Sequence, residues 1–438
     1  MSESKMMMLP WGTEELELTL PGSWQLIGSL EPASGKGVRD PEEAVRESLA
    51  SPIGASRLRD MVGDGMRIAL VIDDASRPTP VDLIFPVVLE ELLRGGVRQE
   101  AITLVTALGV HRPMSEEEVL LRTGGQLPDG MRWENHDCDN GEGLVSLGTT
   151  RRGTPVTANK RVCEADVVVS IGCIEPHIIA SFGGGYKNLI PGVAGRETIA
   201  HNHTLNCTPA TFNMVGQPVD QNPMRLDLEE AAAMVDGKVF IVNAILDSRQ
   251  DVIQVVAGDP IEAHRCGVRD SESLYGASVP ALADVVITDS HPMDQDLRQG
   301  VKALANTIRA VRRGGVHITL VRATEGVGVF GLADSDLPLG RRALRSLSPL
   351  LLRLVPRIKI RGLSEEDRFF LYFALQAMRH AELVLYAPTI PREVRANLPF
   401  VTFVDSVEEA LIIARKRFPG EADVLAFPSG GITYPILP

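Results

Sequence analysis

The chain has 438 residues, 44% of them hydrophobic and 23% charged, with a formal net charge of −13, a balance that excludes a disordered chain and gives room for two or three domains of roughly 150 residues each. The acidic excess excludes a polyanion-binding face, so no nucleic-acid partner is expected, and no apolar run approaches the roughly 20 residues of a spanning helix, so no membrane partner is expected either. Five cysteines, Cys138, Cys163, Cys173, Cys207 and Cys266, form no CxxC pair and are expected to be reduced thiols, which with an N-terminus unlike a leader gives the expectation of a cytoplasmic protein.

In chain order, partial alternation at Glu15, Leu16, Glu17, Leu18, Thr19 and Leu20 predicts an edge strand with one solvated face. A helical pattern within 40–61 follows, then a buried parallel strand at 67–72, RIALVI. Directly after it stand Asp73, Asp74 and Arg77, pinned by Pro78 and Pro80. Acids and a guanidinium at the carboxyl end of a strand occupy the position of a binding loop. Arg77 could hold a phosphate or carboxylate and Asp74 could orient a histidine or a ribose hydroxyl; the plainer alternative is an ion pair that stiffens the loop. A helix at 81–94 and a strand at 101–108 complete a βαβ unit. That strand ends at His111, just before a capping box made by Ser115 and Glu118. Residues 123–160 read as loops and short strands without strong chemistry. Cys138, two residues after His136, is either a metal ligand or a plain thiol.

The stretch 167–203, VVVSIGCIEPHIIASFGGGYKNLIPGVAGRETIAHNH, holds the densest chemistry. Its unbroken apolar start predicts a strand buried on both faces. Beyond that strand come Glu175, His177, Gly183, Gly184, Gly185, Lys187, His201 and His203, where open α/β sheets bind their ligands. The glycines can take positive φ and offer N–H groups to an anion such as a phosphate. Their spacing fits neither GxxxxGK[ST] nor GxGxxG, so an ordinary nucleotide fold is not indicated. A tight turn beside a surface lysine is the plain reading of the glycines alone; the histidines and lysine in the same segment argue against it. His177 with His111 makes a possible acid/base pair, imidazole being the side chain poised nearest neutral pH.

Asn222, Pro223, Met224 and Arg225 lead into an amphipathic helix at 226–234, followed by strands at 239–245 and 251–257 and a helix at 260–268. A second α/β segment opens with a strand at 283–288. Its helix, expected to run to 313, carries Arg298, Gln299 and Lys302 within about one turn, able to converge on a carboxylate, although Lys302 alone is equally a solvated helix residue. Strands at 317–324, 383–387 and 400–403 extend the second sheet. The expected fold is α/β, two domains with mainly parallel sheets and an active-site cleft between them. Residues 1–278 form the N-terminal domain carrying the lysine and the histidines, residues 279–417 the C-terminal domain, and the Gly- and Pro-rich tail 418–438 is expected to dock back on the first.

Six motifs in order, DDASRPTP, ALGVHRPMSEEE, IEPHIIASFGGGYKNLIPG, NPMR, SHPMDQDLRQGVKAL and PSGGITYP, together resemble the nickel-dependent lactate racemase family over most of the chain. The resemblance implies a racemase or epimerase of a 2-hydroxy acid and a tethered nickel pincer nucleotide, the pyridinium-3,5-bisthiocarboxylic acid mononucleotide of Ni(II). Lys187 matches the tether, His203 the nickel ligand with His201 as second choice, and His111 with His177 the acid/base pair. Asp74 and Arg77 match residues near the cofactor and its phosphate, and Gln299 and Lys302 match residues that meet the substrate; the glycine loop Gly183, Gly184 and Gly185 is expected to bind the cofactor as the anion cradle read above, and Arg298 to join the substrate contacts. The implied partners are a small 2-hydroxy acid and the enzymes that make the cofactor.

The chemistry is coherent. Inversion at C2 by way of a 2-keto acid needs a base on each side and a cation for the carboxylate. Sulfur, carbon and imidazole donors suit square-planar Ni(II). Arg298 next to Gln299 points to a larger or doubly anionic hydroxy acid, or a sugar acid. Two rival readings stand beside this one. One is a zinc-type hydrolase using His111, His177 and His203 around an open water position. The other is a non-catalytic carrier of the nucleotide, which would need Lys187 and the glycine loop but neither His111 nor His177.

Overall fold

The computed structural model describes residues 5–33, 35, 37–125, 127–328, 330–334, 339–358, 360 and 363–438. Two six-stranded sheets carry a mixed α/β architecture. In the first, Val167–Cys173 lies centrally between Ile68–Asp73 and Lys238–Leu246; Ile102–Ala107 and Arg132–Asn135 continue beyond the former, and Val252–Gly258 closes the opposite edge. Every pairing in it is parallel except that of Lys238–Leu246 with Val252–Gly258. IALVID and VVVSIGC are buried along their whole length, which is why these strands lack polar alternation: helices cover both faces of a parallel sheet. Register pairs Ile68 with Val167 and Asp73 with Ala107, so the segments that follow all three strands leave the sheet along one edge.

The second sheet runs Thr402–Val404, Glu382–Tyr386, Val311–Leu320, Ala283–Asp289, Ala422–Phe427, Trp24–Ser29, with all pairings parallel. Its last member comes from near the start of the chain, so residues 5–29 lie with the C-terminal half, where chain order had put them with the first. The cause is apolar packing. The hairpin of Lys5–Trp11 and Glu14–Leu20 alternates as expected, and its inward residues Leu9, Leu18 and Leu20, with Trp24, join Val285, Ile287 and Val316 in one core cluster.

The tail also divides its contacts. Ala422–Phe427 belongs to the second sheet, and only afterwards does Tyr434–Ile436 pair with Gly276–Ser278. The helix expected to reach 313 ends at Thr307, and Val311–Leu320 is already strand, its β-branched residues favouring the pleated sheet. The pattern within 40–61 is two helices, Pro41–Ala50 and Leu58–Met61; Pro52 and Gly54 lie in the break. Among the described residues no helix is long and apolar enough to cross a membrane.

Candidate functional site

A cavity of about 190 Å³ lies beyond the carboxyl ends of the first sheet, and Asp74, Arg77, His111, His177, Lys187, His203, Arg298, Gln299 and Lys302 all line it. Residues some two hundred positions apart in sequence thus meet because the aligned strand ends face the Leu297–Thr307 helix of the second half. His201 and the three glycines are not among its lining residues.

The two cavity histidines have opposite hydrogen-bond geometry. His111 Nδ1 lies 2.5 Å from Asp74 Oδ2, and the other oxygen of Asp74 accepts the Ser76 N–H at 2.7 Å. A carboxylate only accepts, so Nδ1 carries the proton and the neutral ring presents a lone pair at Nε2. Burial works to raise Asp74, but the hydrogen bond and charge of His111 outweigh it and hold the carboxyl well below the usual range. His177 is the reverse. Its Nδ1 accepts the backbone N–H groups of Ile179 and Ala180, both at 3.2 Å, so the proton of the neutral ring sits on Nε2. Burial first, then the charges of Lys187 and Arg77, keep its pKa well below that of a free histidine.

His203 sits on the Arg196–Thr204 helix, and its Nδ1 donates to the Ile199 carbonyl at 2.7 Å. Nε2 therefore keeps its lone pair, the orientation a metal-ligating histidine takes when its other N–H is anchored to a carbonyl. His201, two residues back on a turn of 3.6 residues, faces elsewhere: its Nδ1 meets Thr154 Oγ1 at 2.8 Å, and that hydroxyl donates to Asp227.

The anion cradle expected of Gly183, Gly184 and Gly185 does not form. The Gly183 N–H donates to the Glu175 carbonyl and the Gly185 N–H to Asn243 Oδ1, each at 2.8 Å. What requires glycine here is crowding and backbone shape. Gly184 has φ +71°, and a Cβ there would lie 2.7 Å from Asn243 Oδ1. Behind the loop the fully buried Arg225 donates to the carbonyls of Ala180, Phe182 and Gly184, while His264 Nε2 donates to that of Gly183 at 2.8 Å. This clamp fixes the segment ending at Lys187. Burial, then the charges of Arg77 and Arg225, bring the Lys187 amine down to about 7, so near neutral pH a large fraction is an uncharged nucleophile.

Glu175 accepts from Arg77 at 2.9 Å and lies 4.0 Å from the Lys302 ammonium. Glu175 thus ties the two cations together at one place. Gln299 Oε1 is buried without a hydrogen-bond partner, and the Arg298 guanidinium carbon stacks 5.8 Å from the centre of the Phe370 ring. Among the described residues, the one set of three His, Cys, Asp or Glu ligand atoms mutually within 4.8 Å is Asp137, Cys138 and Asp139. His111, His177 and His203 therefore do not converge into a three-histidine zinc site. His136, whose Nε2 donates to the Ala194 carbonyl at 2.9 Å, is not a member of that set.

The sequence reading gave no role to the bridging carboxylate Glu175, nor to Asn243, His264 and the clamp of Arg225, which act through contacts with distant backbone. It also passed over an aromatic wall of Phe330, Phe370, Phe373 and Phe400 on the same cavity. The spacing of Phe370, Phe373, Ala374 and Ala377 on one face of the Glu365–His380 helix was its available signal.

Residues 11–213 match the family described as the lactate racemase N-terminal domain. The chain is 30% identical over 328 residues to a lactate racemase of Thermoanaerobacterium thermosaccharolyticum, covering 74% of this chain and 76% of that one. It is 32% identical over 308 residues to a lactate racemase of Lactiplantibacillus plantarum, covering 68% and 70%. The structure of the lactate racemase apoprotein from T. thermosaccharolyticum superposes with a TM-score of 0.84 at 25% identity, over 99% of this chain and 100% of that one. A crystal structure of a Thermotoga maritima protein shares the fold, with a TM-score of 0.69 at 16% identity over 92% of this chain and 100% of that chain.

Proposed function

We infer, from the premise that this chain belongs to the lactate racemase family and is an isomerase, that it racemises or epimerises a 2-hydroxy acid through a 2-keto acid with a nickel pincer nucleotide tethered at Lys187. The observation that carries the reading is the meeting, on one cavity, of an amine poised near neutrality and an imidazole whose Nε2 lone pair is set by an anchored Nδ1. Those two groups fit the cofactor: Lys187 would hold it as a thioamide and His203 would complete the coordination of nickel, for which imidazole is a suitable donor. When bound, that group supplies a carbon that accepts and returns hydride.

The chain's own residues do the rest. Lys302 and Arg77, sharing Glu175, hold the substrate carboxylate. Gln299, on the same cavity, turns its side-chain amide N–H to the substrate carboxylate. His111 takes the hydroxyl proton at Nε2, and Asp74 stabilises the imidazolium so formed. His177 donates its Nε2–H to the substrate oxygen; it cannot become an imidazolium without breaking two backbone hydrogen bonds at Nδ1. The keto acid turns within the cavity to expose its second face, and His111 returns the proton.

The test is production of the protein together with the enzymes that make the nucleotide. Peptide mapping should find the nucleotide's mass at Lys187, with nickel in proportion, and chiral chromatography should show interconversion of hydroxy-acid enantiomers. Activity from protein unmodified at Lys187 would overturn the tether; failure of loaded protein to interconvert any 2-hydroxy acid would overturn the reaction.

A further inference from the structure

We propose that the substrate bears a bulky apolar group on C2, an aromatic or branched aliphatic side chain, in place of the methyl of lactate or the hydroxyls of a sugar acid. This rests on the racemase reading above and names its substrate class. The cavity that holds the polar residues continues, without a break, into a wall made by Phe330, Phe370, Phe373, Ala374 and Phe400. Phe370, Phe373 and Ala374 lie on one face of the Glu365–His380 helix, which packs against the helix bearing His203. Ring contacts hold the wall in shape: Phe330 meets Phe370 edge-on at 5.9 Å, and Phe373 meets Phe212 at 5.8 Å.

Chemistry separates the candidates. A sugar acid would bring several hydroxyls against this wall, where carbon offers them no partners, and each buried hydroxyl without a hydrogen bond is costly. A second carboxylate would need its own cation. Arg298 is engaged with the wall itself, its guanidinium carbon lying over the Phe370 ring at 5.8 Å from the centroid, and malate in the assay below tests whether it takes a second carboxylate. A methyl is too small to make contact with more than one ring of such a wall. An aryl or branched alkyl group makes apolar contact with it and brings no polar group that would need a partner there.

The loaded holoenzyme should be assayed with lactate, 3-phenyllactate, 2-hydroxy-4-methylpentanoate, malate and gluconate. Expected is a kcat/KM for the apolar substrates above that for lactate by roughly 10- to 200-fold, the discrimination a hydrophobic pocket delivers. Ala374→Leu, which fills the wall, should lower the ratio of 3-phenyllactate to lactate by roughly tenfold. Ala377→Leu, one helical turn on, repeats the test should the first variant not fold. A preference for lactate, malate or gluconate, or an unchanged ratio in the folded variant, overturns the proposal while leaving the racemase reading intact; absence of turnover with all five overturns the reading beneath it.

Discussion

His111 and His177 lie on one cavity, beyond the ends of the two strands that flank Ile68–Asp73, yet one is wired as a proton acceptor and the other as a donor. A glutamine amide reproduces the Nε2–H of His177 but cannot replace a base. His177→Gln is therefore expected to keep racemisation within roughly tenfold of the native rate, whereas His111→Gln should lose roughly 10²- to 10⁴-fold, the range for removing a general base. Equal losses in the two variants, measured on holoenzyme with matched nickel content, would mean that both rings carry protons. Asp74 gives a second expectation. Its folded pKa is depressed, so its pair with His111 contributes stability fully above the unfolded value of about 4 and loses it as pH falls through the folded value. Melting temperature should thus fall on the acid side more steeply in the native protein than in Asp74→Asn, and parallel curves would contradict this. The positions of Asp74, His111, His177 and Lys187 were legible in the sequence because each follows a buried apolar run that marks a strand end. Their protonation geometry was not, since it depends on Asp74 acting 37 residues away and on backbone amides that no side-chain motif encodes.

The loop from His177 to Lys187 is held from behind. Arg225, buried on the Pro223–Ala232 helix, satisfies three of the loop's carbonyls, and Asn222 caps that helix while donating to the Ile179 carbonyl and Ser181 Oγ. Arg225→Met would leave those carbonyls short of a buried partner, with an expected loss of about 2–5 kcal/mol in denaturant unfolding. Arg225→Lys should recover only part of it, because a single ammonium on a flexible stem does not reproduce the planar fork of donors. A Met variant as stable as the native protein would show that water replaces the guanidinium without cost. The glycine run was visible in the sequence and its purpose was not: Gly184 and Gly185 are small because Asn243 and His264 press on them, and neither neighbour is near in sequence. By contrast, the capping box at Ser115 and Glu118 and the Val81–Arg94 helix depend on local spacing alone, and both stand as the sequence predicts.

At the scale of the whole molecule, the chain's two ends tie the halves together. The sheet membership of Trp24–Ser29 and Ala422–Phe427 was not legible, because an alternating or apolar strand does not say which sheet will accept it; only the shared core with Val285 and Ile287 decides. After Phe427 the tail crosses the Leu297–Thr307 helix, where Asn306 Nδ2 donates to the carbonyls of Gly430 and Gly431 at 2.8 and 2.9 Å. It then lays the buried Tyr434 ring against Gly216 and edge-on to Phe182, with ring centres 6.1 Å apart. Phe182 belongs to the loop that presents Lys187, and the helix carries Gln299 and Lys302, so one strap spans the substrate side and the tether side of the cavity. Tyr434→Ala should cost about 3–5 kcal/mol, as truncation of a large buried ring does. The native protein is expected to unfold in a single transition, and removal of residues 428–438 should go further and split it into two that follow the two sheets. Calorimetry on both proteins decides it: a truncated chain that still melts once, at the native temperature, would mean that the remaining contacts between the halves suffice without the strap.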